Sequence, residues 1–142
     1  NDVALGTRLQ ADGRDLRGSQ PGYRRLLGRL YNRLVGVLNV RGFADTQCGF
    51  KAFTAEAARY LFGAQQLSSI VFDTELLYLA SRSLMRIAQV PVSWSNVGGS
   101  RMRVTLRQGL LVLRDLCTIR WLHRDTPASG FRAPAPPPQH SR

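Results

Sequence analysis

The chain is short of several residue types, and each shortage excludes a class of protein. Its 142 residues include two cysteines, Cys48 and Cys117, which are too few for a disulfide-built scaffold. Its two histidines, His123 and His140, do not stand at the spacing that a Cys/His zinc site requires. No apolar run approaches the roughly 20 residues of a membrane-spanning helix. A hydrophobic fraction of 44% nevertheless excludes a wholly disordered basic chain.

Acidic residues are also scarce, and nearly all positive charge is arginine. Nine Asp and Glu stand against 20 Lys and Arg, of which Lys51 is the one lysine, and the formal net charge is +11. Residues 21–41 hold five arginines and no acid, and residues 101–124 hold six arginines and one acid. This clustering predicts an anionic partner: nucleic acid, an anionic membrane surface or a phosphorylated ligand. The arginine bias also predicts a GC-rich bacterial source.

The apolar pattern predicts one α/β unit over residues 1–124 and a Pro-rich disordered tail over residues 125–142. We expect a short buried strand that runs into a loop within residues 1–8, helices at about 23–40, 55–62, 74–83 and 103–122, a loop at 42–53 and a strand at 85–94. Pro91 predicts either an edge strand or a pairing that does not use its backbone nitrogen, because proline has no N–H to donate. Thr54 and Asp73 are predicted N-caps, and Gly63 a helix stop. A domain rarely begins on a buried strand, so we expect preceding residues to belong to it. No stretch resembles a signal peptide, which predicts a reducing, cytosol-facing location.

Two predicted helices are amphipathic and basic. In the first, the apolar face comprises Leu26, Leu27, Leu30, Tyr31, Leu34, Val37 and Leu38. Its arginines repeat every four residues and form either a solvated surface or an anion site. In the last helix, the apolar side comprises Leu106, Leu110, Val112, Leu113, Leu116 and Cys117, with Trp121 near its boundary. That helix either packs on its own domain or lies in a membrane surface. Few aromatic residues accompany the arginines, which favours lipid over nucleic acid.

Five short motifs carry a resemblance to a known family. Residues 5–8 read LGTR and residues 28–32 read GRLYN; residues 45–51 read DTQCGFK, residues 72–77 FDTELL and residues 90–94 VPVSW. In this order they resemble family 2 glycosyltransferases, nearest to the dolichyl-phosphate glucosyltransferase-like and polyprenol-phosphate sugar synthase branch. The resemblance implies a GT-A fold, a Rossmann-like α/β domain, of which this chain is the C-terminal, acceptor-side half.

The resemblance also implies an activity. A sugar, expected to be glucose, is transferred with inversion from a nucleotide sugar to a polyprenyl or dolichyl phosphate. UDP-glucose is the expected donor and GDP-mannose the alternative, and the enzyme is expected to lie peripherally on the cytoplasmic face of a membrane. The family's Asp-x-Asp motif, which holds Mg²⁺ or Mn²⁺, lies upstream, and no Asp-x-Asp occurs here. We therefore predict no metal ligand in this chain and no activity for the chain alone.

Several basic residues are implied to bind the acceptor phosphate. Arg8 and Arg24 match the family's positions, and Arg25 replaces Arg24 if the register shifts by one. Arginine suits this role because its guanidinium binds phosphate oxygens in a bidentate manner. Lys51 and Arg101 are further candidates, although Arg101 stands where the family usually has lysine.

Asp45 is the leading catalytic candidate, and Gln47 is expected to form hydrogen bonds beside it. A phosphate acceptor is already ionised, so Asp45 would only position it, whereas a hydroxyl acceptor would need Asp45 as a general base. Structural roles for Asp45, Gln47 and Lys51 also stay open. Cys48 is expected to be a buried thiol, because no histidine stands near it in the sequence. Two other functions stay open: a transferase with a hydroxyl acceptor, and a non-enzymatic basic membrane-binding module.

Overall fold

The computed structural model describes residues 1–10, 12–16, 22–43, 45–95, 105–126 and 131, without the side chains of Arg24 and Leu106. In chain order the elements are β1 (Val3–Thr7), α1 (Gly22–Leu38), β2 (Lys51–Phe53), α2 (Ala55–Ala64), α3 (Phe72–Arg82), β3 (Ile87–Pro91) and α4 (Leu106–Leu122). The α/β class is confirmed. The loop that holds Arg101 and most of the predicted tail lie outside the described residues.

The strands form a small mixed sheet in the order β2-β1-β3. β1 pairs antiparallel with β2 and parallel with β3, with Thr7 opposite Pro91. Pro91 therefore ends an edge strand of the described sheet, as predicted. Residues 51–53 form β2, so the prediction of a loop there was wrong. β1 offers backbone N–H and C=O groups on its second side, and a short extended segment satisfies them.

Local sequence features set some helix ends and not others. Thr54 caps α2 as predicted, and its hydroxyl accepts a backbone N–H. Gly63 lies inside α2, so the predicted stop was wrong. Asp73 does not cap α3, which has no side-chain cap; its carboxylate lies in the first turn, at the positive end of the helix dipole. Thr105 begins α4 with a capping box.

Two hydrophobic clusters pack the helices against the sheet. Leu5 of β1 joins the first, with Val35, Val40, Val71, Leu77, Tyr78, Leu116 and Ile119. Val3 of β1 joins the second, with Ala57, Leu61, Leu76, Leu79, Ala80 and Met85. Side chains two residues apart on a strand point to the same face. The helices therefore cover one face of the sheet, and α3 contributes to both clusters.

The orientation of α1 corrects the predicted apolar face. Tyr31, Leu34 and Leu38 pack on the first cluster, and Val35, which the pattern did not select, is fully buried. Leu26, Leu30 and Val37 of the predicted face are instead between 52% and 67% exposed. Together with Tyr23, which was not part of that face and is 58% exposed, we call them the outward stripe. The seven residues of the predicted face span about 140° of the helix circumference. The hydrophobic core contacts only part of that arc, so the rest of the face stays exposed.

Asp115 of α4 makes the fold sensitive to acid. Its carboxylate is buried and accepts a hydrogen bond from Arg114 Nη2 at 2.7 Å. Burial by itself would raise the pKa of Asp115, but hydrogen bonds from Ser69 and Arg114 outweigh it and lower the pKa below its ordinary 3.8. The stabilisation is therefore present above the unfolded pKa and is lost as the pH falls through the folded pKa.

We expect Asp115→Asn to flatten the acid limb of stability. The free energy of unfolding, measured by urea titration, should fall more steeply below about pH 4 in the parent than in the variant. Asp125→Asn is the control, because this carboxylate is exposed. An equally steep acid limb in Asp115→Asn would contradict the assignment.

Candidate functional site

The candidate site lies where the chain leaves the carboxyl end of β1 and the loop of residues 45–50 crosses it. Gly6 of β1 donates its N–H to the Phe50 carbonyl oxygen at 2.8 Å. A Cβ atom on Gly6 would lie 3.0 Å from Cys48 Sγ and from the Phe50 carbonyl oxygen. Glycine therefore lets the loop lie directly against β1. Cys48 is buried there, as predicted.

Arg8 and Asp45 form a bidentate ion pair at the centre of this site. Arg8 Nε donates to Asp45 Oδ2 at 2.6 Å, and Arg8 Nη2 donates to Oδ1 at 2.7 Å. The backbone N–H of Arg8 donates to Oδ2 as well, at 3.2 Å. The hydrogen bond to Asp45 raises the pKa of Arg8, which stays charged at any physiological pH. Because Asp45 is fully buried, both of its oxygens face the arginine rather than solvent.

The guanidinium of Arg8 is held in one orientation, but Asp45 does not engage all of its hydrogen-bond donors. The Trp94 ring centroid lies 5.3 Å from Arg8 Cζ, a cation–π contact. Asp45 engages Nε and Nη2 and leaves Nη1 for a further acceptor. The side chain is 14% exposed, so Arg8 is not wholly closed off from solvent. The pair therefore presents an oriented positive charge at the end of β1.

The two residues after Asp45 anchor the loop to the helices. Thr46 Oγ1 donates to Asn32 Oδ1 of α1 at 3.0 Å. Gln47 forms a hydrogen bond with the Tyr31 hydroxyl, which lies 2.7 Å from Thr74 Oγ1 of α3. Burial raises the pKa of Tyr31, against the opposing effect of both hydrogen bonds. The phenol is therefore a neutral hydrogen-bonding group.

Lys51 lies beside the same loop, but its charge is balanced within the protein. Its Nζ donates to the Cys48 carbonyl oxygen at 2.6 Å and lies 3.2 Å from Asp73 Oδ2. The side chain is almost fully buried. In this structure Lys51 therefore holds the loop to α3, and its binding of phosphate stays a prediction.

Of the other arginine candidates, Arg25 lies in the first turns of α1. Its partly buried side chain has an Nε atom with no hydrogen-bond partner among the described residues. Seven residues along α1, on the same side of the helix, Asn32 binds Thr46. A buried donor without an acceptor is costly, so this position suits an anion. The Arg24 side chain and Arg101 lie outside the described residues.

The sequence did not predict a second buried pair of polar side chains, Glu75 and His123. Glu75 of α3 lies 2.7 Å from His123 Nε2, and both side chains are fully buried. The carboxylate also accepts the backbone N–H groups of Gln66 and Leu67, each at 2.9 Å. The partner of Glu75 is 48 residues away in the sequence, and no local pattern indicates it. This pair joins the end of α4 to α3.

Neither a metal site nor a membrane-spanning helix occurs in the described part of the chain. Its His, Cys, Asp and Glu side chains form no group of three that could hold a metal ion. No helix there is long and apolar enough to cross a bilayer. The expected Mg²⁺ or Mn²⁺ has no donor set among these residues.

Comparison with proteins of known function finds several relatives. The chain is 35% identical to dolichyl-phosphate beta-glucosyltransferase ALG5C of Trichomonas vaginalis, over 91% of this chain and 40% of the relative. It is 36% identical to the human dolichyl-phosphate beta-glucosyltransferase, over 83% of this chain and 36% of the relative. The Saccharomyces cerevisiae enzyme of the same name is 32% identical over 83% of this chain and 35% of its own length.

The other comparisons find nothing: no family model and no solved structure matches the chain. The chain spans between 35% and 40% of the length of these three relatives. It spans 30% of the length of a fourth, the dolichyl-phosphate beta-glucosyltransferase of Drosophila melanogaster. These relatives are eukaryotic, so the bacterial source stays a prediction. All three relatives are named as dolichyl-phosphate beta-glucosyltransferases, and the similarity to them extends over 83–91% of this chain.

Proposed function

We propose that this chain is the acceptor-binding part of a glucosyltransferase that transfers glucose from a nucleotide sugar to dolichyl or polyprenyl phosphate. The observation that carries the proposal is the Arg8 guanidinium, held by a buried Asp45 at the end of β1. The relatives' names supply the reaction. In this proposal the chain is the C-terminal half of a GT-A domain, at the cytoplasmic face of a membrane. The residues that bind the nucleotide and Mg²⁺ or Mn²⁺ lie elsewhere in the enzyme.

The nucleophile in this reaction is an oxygen of the acceptor phosphate. It forms a bond to the anomeric carbon of glucose while the bond from that carbon to the nucleotide diphosphate breaks and its electron pair leaves with the diphosphate. The phosphate is ionised near neutral pH, so it needs orientation and charge neutralisation more than a base. Arg8 Nη1 is the donor that Asp45 leaves for it. Arg25 Nε, buried and unpartnered among the described residues, supplies a second donor from α1.

Asp45 acts in this scheme as a positioning residue. Both of its oxygens accept hydrogen bonds from Arg8, and none of its surface is exposed to a substrate. A general base must come within hydrogen-bond reach of the proton that it removes. That requirement favours a phosphate acceptor over a hydroxyl acceptor, because only the hydroxyl needs its proton removed by Asp45.

The choice of acceptor tests the proposal. With UDP-glucose as donor, the full-length enzyme is expected to glucosylate dolichyl phosphate and not dolichol, which is identical except for the phosphate. GDP-mannose in place of UDP-glucose tests the donor, and we expect little product. Product is measured as lipid-extractable radiolabelled sugar. Transfer to dolichol at a comparable rate would favour the hydroxyl alternative, and transfer to neither would remove the proposed activity.

A further inference from the structure

A tryptophan beside the candidate site has no role in the proposed chemistry. Trp94 is the last residue of the motif at residues 90–94, and its side chain is partly exposed. Among the described residues it belongs to neither of the two hydrophobic clusters. Its ring instead lies under the Arg8 guanidinium, with 5.3 Å between the ring centroid and Arg8 Cζ. Packing of the hydrophobic core therefore does not explain the position of this ring.

The backbone holds Trp94 at the carboxyl end of β1. β1 and β3 run parallel, with Thr7 opposite Pro91. The pairing continues one residue beyond β3, because the Val92 N–H donates to the Thr7 carbonyl oxygen at 3.0 Å. The Gln10 side-chain amide donates to the Val92 carbonyl oxygen at 3.1 Å. Both backbone groups of residue 92 are therefore bound to residues 7–10, and the Trp94 ring contacts this same segment at Arg8.

Asp45 alone does not fix the position of Arg8 Nη1. The two carboxylate oxygens bind Nε and Nη2, which lie along one edge of the planar guanidinium. A plane that is held along one edge can still tilt about that edge. Nη1 lies away from the edge, so the tilt moves this atom.

The Trp94 ring restricts this remaining motion. Arg8 Cζ lies over the ring at a distance typical of a cation–π contact. The guanidinium cannot tilt toward the ring without a clash, and the attraction between the cation and the ring opposes a tilt away from it. The carboxylate therefore fixes one edge of the guanidinium, and the ring fixes its plane.

The ring also keeps water from one side of the charge. The Arg8 side chain is only 14% exposed, and its partner Asp45 is fully buried. A charge that is shielded from water attracts a phosphate more strongly, because the effective dielectric constant around it is lower. Removal of the indole would admit water to this side of the guanidinium and weaken that attraction.

We propose that Trp94 is a positioning residue for the acceptor, whose ring holds the plane of the Arg8 guanidinium so that Nη1 donates to the acceptor phosphate. The proposal rests on the proposed function for the identity of the acceptor. It adds a residue that acts on the phosphate through Arg8 and does not touch the reacting atoms. A flat aromatic ring is required for this role, so phenylalanine should replace Trp94 better than leucine does.

Acceptor kinetics of the full-length enzyme test the proposal, with UDP-glucose as donor and a short, water-soluble polyprenyl phosphate in detergent. Trp94→Leu should lower kcat/KM for the acceptor about tenfold, the effect expected for a shielded cation–π contact. Trp94→Phe keeps a ring and should stay within about threefold of the parent. The KM for UDP-glucose should not change in either variant, whereas a general loss of folded enzyme would lower kcat and leave the KM for the acceptor unchanged.

The second tryptophan provides a matched control. Trp121 also has an arginine against its ring, with Arg124 Cζ 5.5 Å from the centroid, but it lies on α4 and is 64% exposed. Trp121→Leu should therefore leave kcat/KM for the acceptor unchanged. Parent-like kcat/KM in Trp94→Leu, or an equal loss in Trp94→Phe and Trp94→Leu, would overturn the proposal.

A double variant tests whether Trp94 acts through Arg8. In an Arg8→Ala background, Trp94→Leu should cause no further loss of kcat/KM, because no guanidinium is left to hold. If the two losses multiply, the ring acts independently of Arg8 and the proposal is wrong.

Fluorescence separates this proposal from the proposed activity. The chain has two tryptophans, so Trp121→Phe leaves Trp94 as the one emitting indole of the 142-residue chain. Its emission should change saturably with the same polyprenyl phosphate and not with the corresponding alcohol, and Arg8→Ala should remove the change. If the change is observed but the full-length parent makes no product, only the proposed transfer is wrong. An unchanged emission, or an equal change with the alcohol, would overturn the role of Trp94.

Discussion

Asp45→Asn is expected to lower kcat/KM for dolichyl phosphate by about 10- to 100-fold in the full-length enzyme, because hydrogen bonds to charged groups contribute about 1.5–3 kcal/mol. Asparagine keeps the size of the side chain but removes its charge, and its amide NH₂ faces a donor of Arg8. The bidentate pair at 2.6 and 2.7 Å is then lost, and the guanidinium is no longer held in one orientation. Radiolabelled transfer over a range of acceptor concentrations measures the effect.

The pH dependence separates positioning from base catalysis. A positioning residue leaves the shape of the pH–rate profile unchanged, whereas removal of a general base removes the limb that reports its pKa. Full activity of Asp125→Asn, a change at an exposed carboxylate, is the control. A fall of about 10⁴-fold or more together with a lost acidic limb would show that Asp45 removes a proton and would favour a hydroxyl acceptor.

Glu75→Ala is expected to destabilise the fold by about 3–5 kcal/mol, the usual loss when one partner of a buried pair is removed. The change leaves His123 and the backbone N–H groups of Gln66 and Leu67 without their acceptor in a fully buried site. Urea unfolding of the 142-residue chain measures the effect, and the unfolding midpoint should fall clearly.

Two further variants place limits on that result. Glu75→Gln keeps one acceptor oxygen and should cost less than Glu75→Ala. Glu56→Ala, at an exposed carboxylate in the first turn of α2, should cost less than about 1 kcal/mol. A loss below about 1 kcal/mol for Glu75→Ala would show that the buried pair does not stabilise the fold.

Features of the fold that depend on neighbouring residues could be predicted from the sequence. The hydroxyl of Thr54 caps α2 through an N–H three residues away, and Pro91 indicates an edge strand by the donor that it lacks. β2 could not be predicted in the same way, because three residues form a strand only where β1 offers an open edge. The outward stripe of α1 could not be predicted either, since periodicity shows which residues share a face but not how much of that face the core covers.

The sequence could predict which residues belong to the candidate site, but not which of their side chains contact one another. The motif resemblance nominated Arg8 and Asp45 separately, as a phosphate ligand and a catalytic group. Their contact joins residues 37 positions apart and depends on the close approach of the loop to Gly6. The ion pair changes the role inferred for Asp45. A carboxylate that forms a bidentate pair with an arginine fixes the orientation of that guanidinium. Glu75 and His123 show the same limit, since distant side chains meet only in the folded chain.

The most direct test of the central claim is a double-mutant cycle on Arg8 and Asp45, measured as kcat/KM for dolichyl phosphate. If Asp45 acts on the acceptor only by holding Arg8, the double variant Arg8→Ala/Asp45→Asn will be no slower than Arg8→Ala alone. Independent roles, with Asp45 as a base, would make the two losses multiply and would contradict this account.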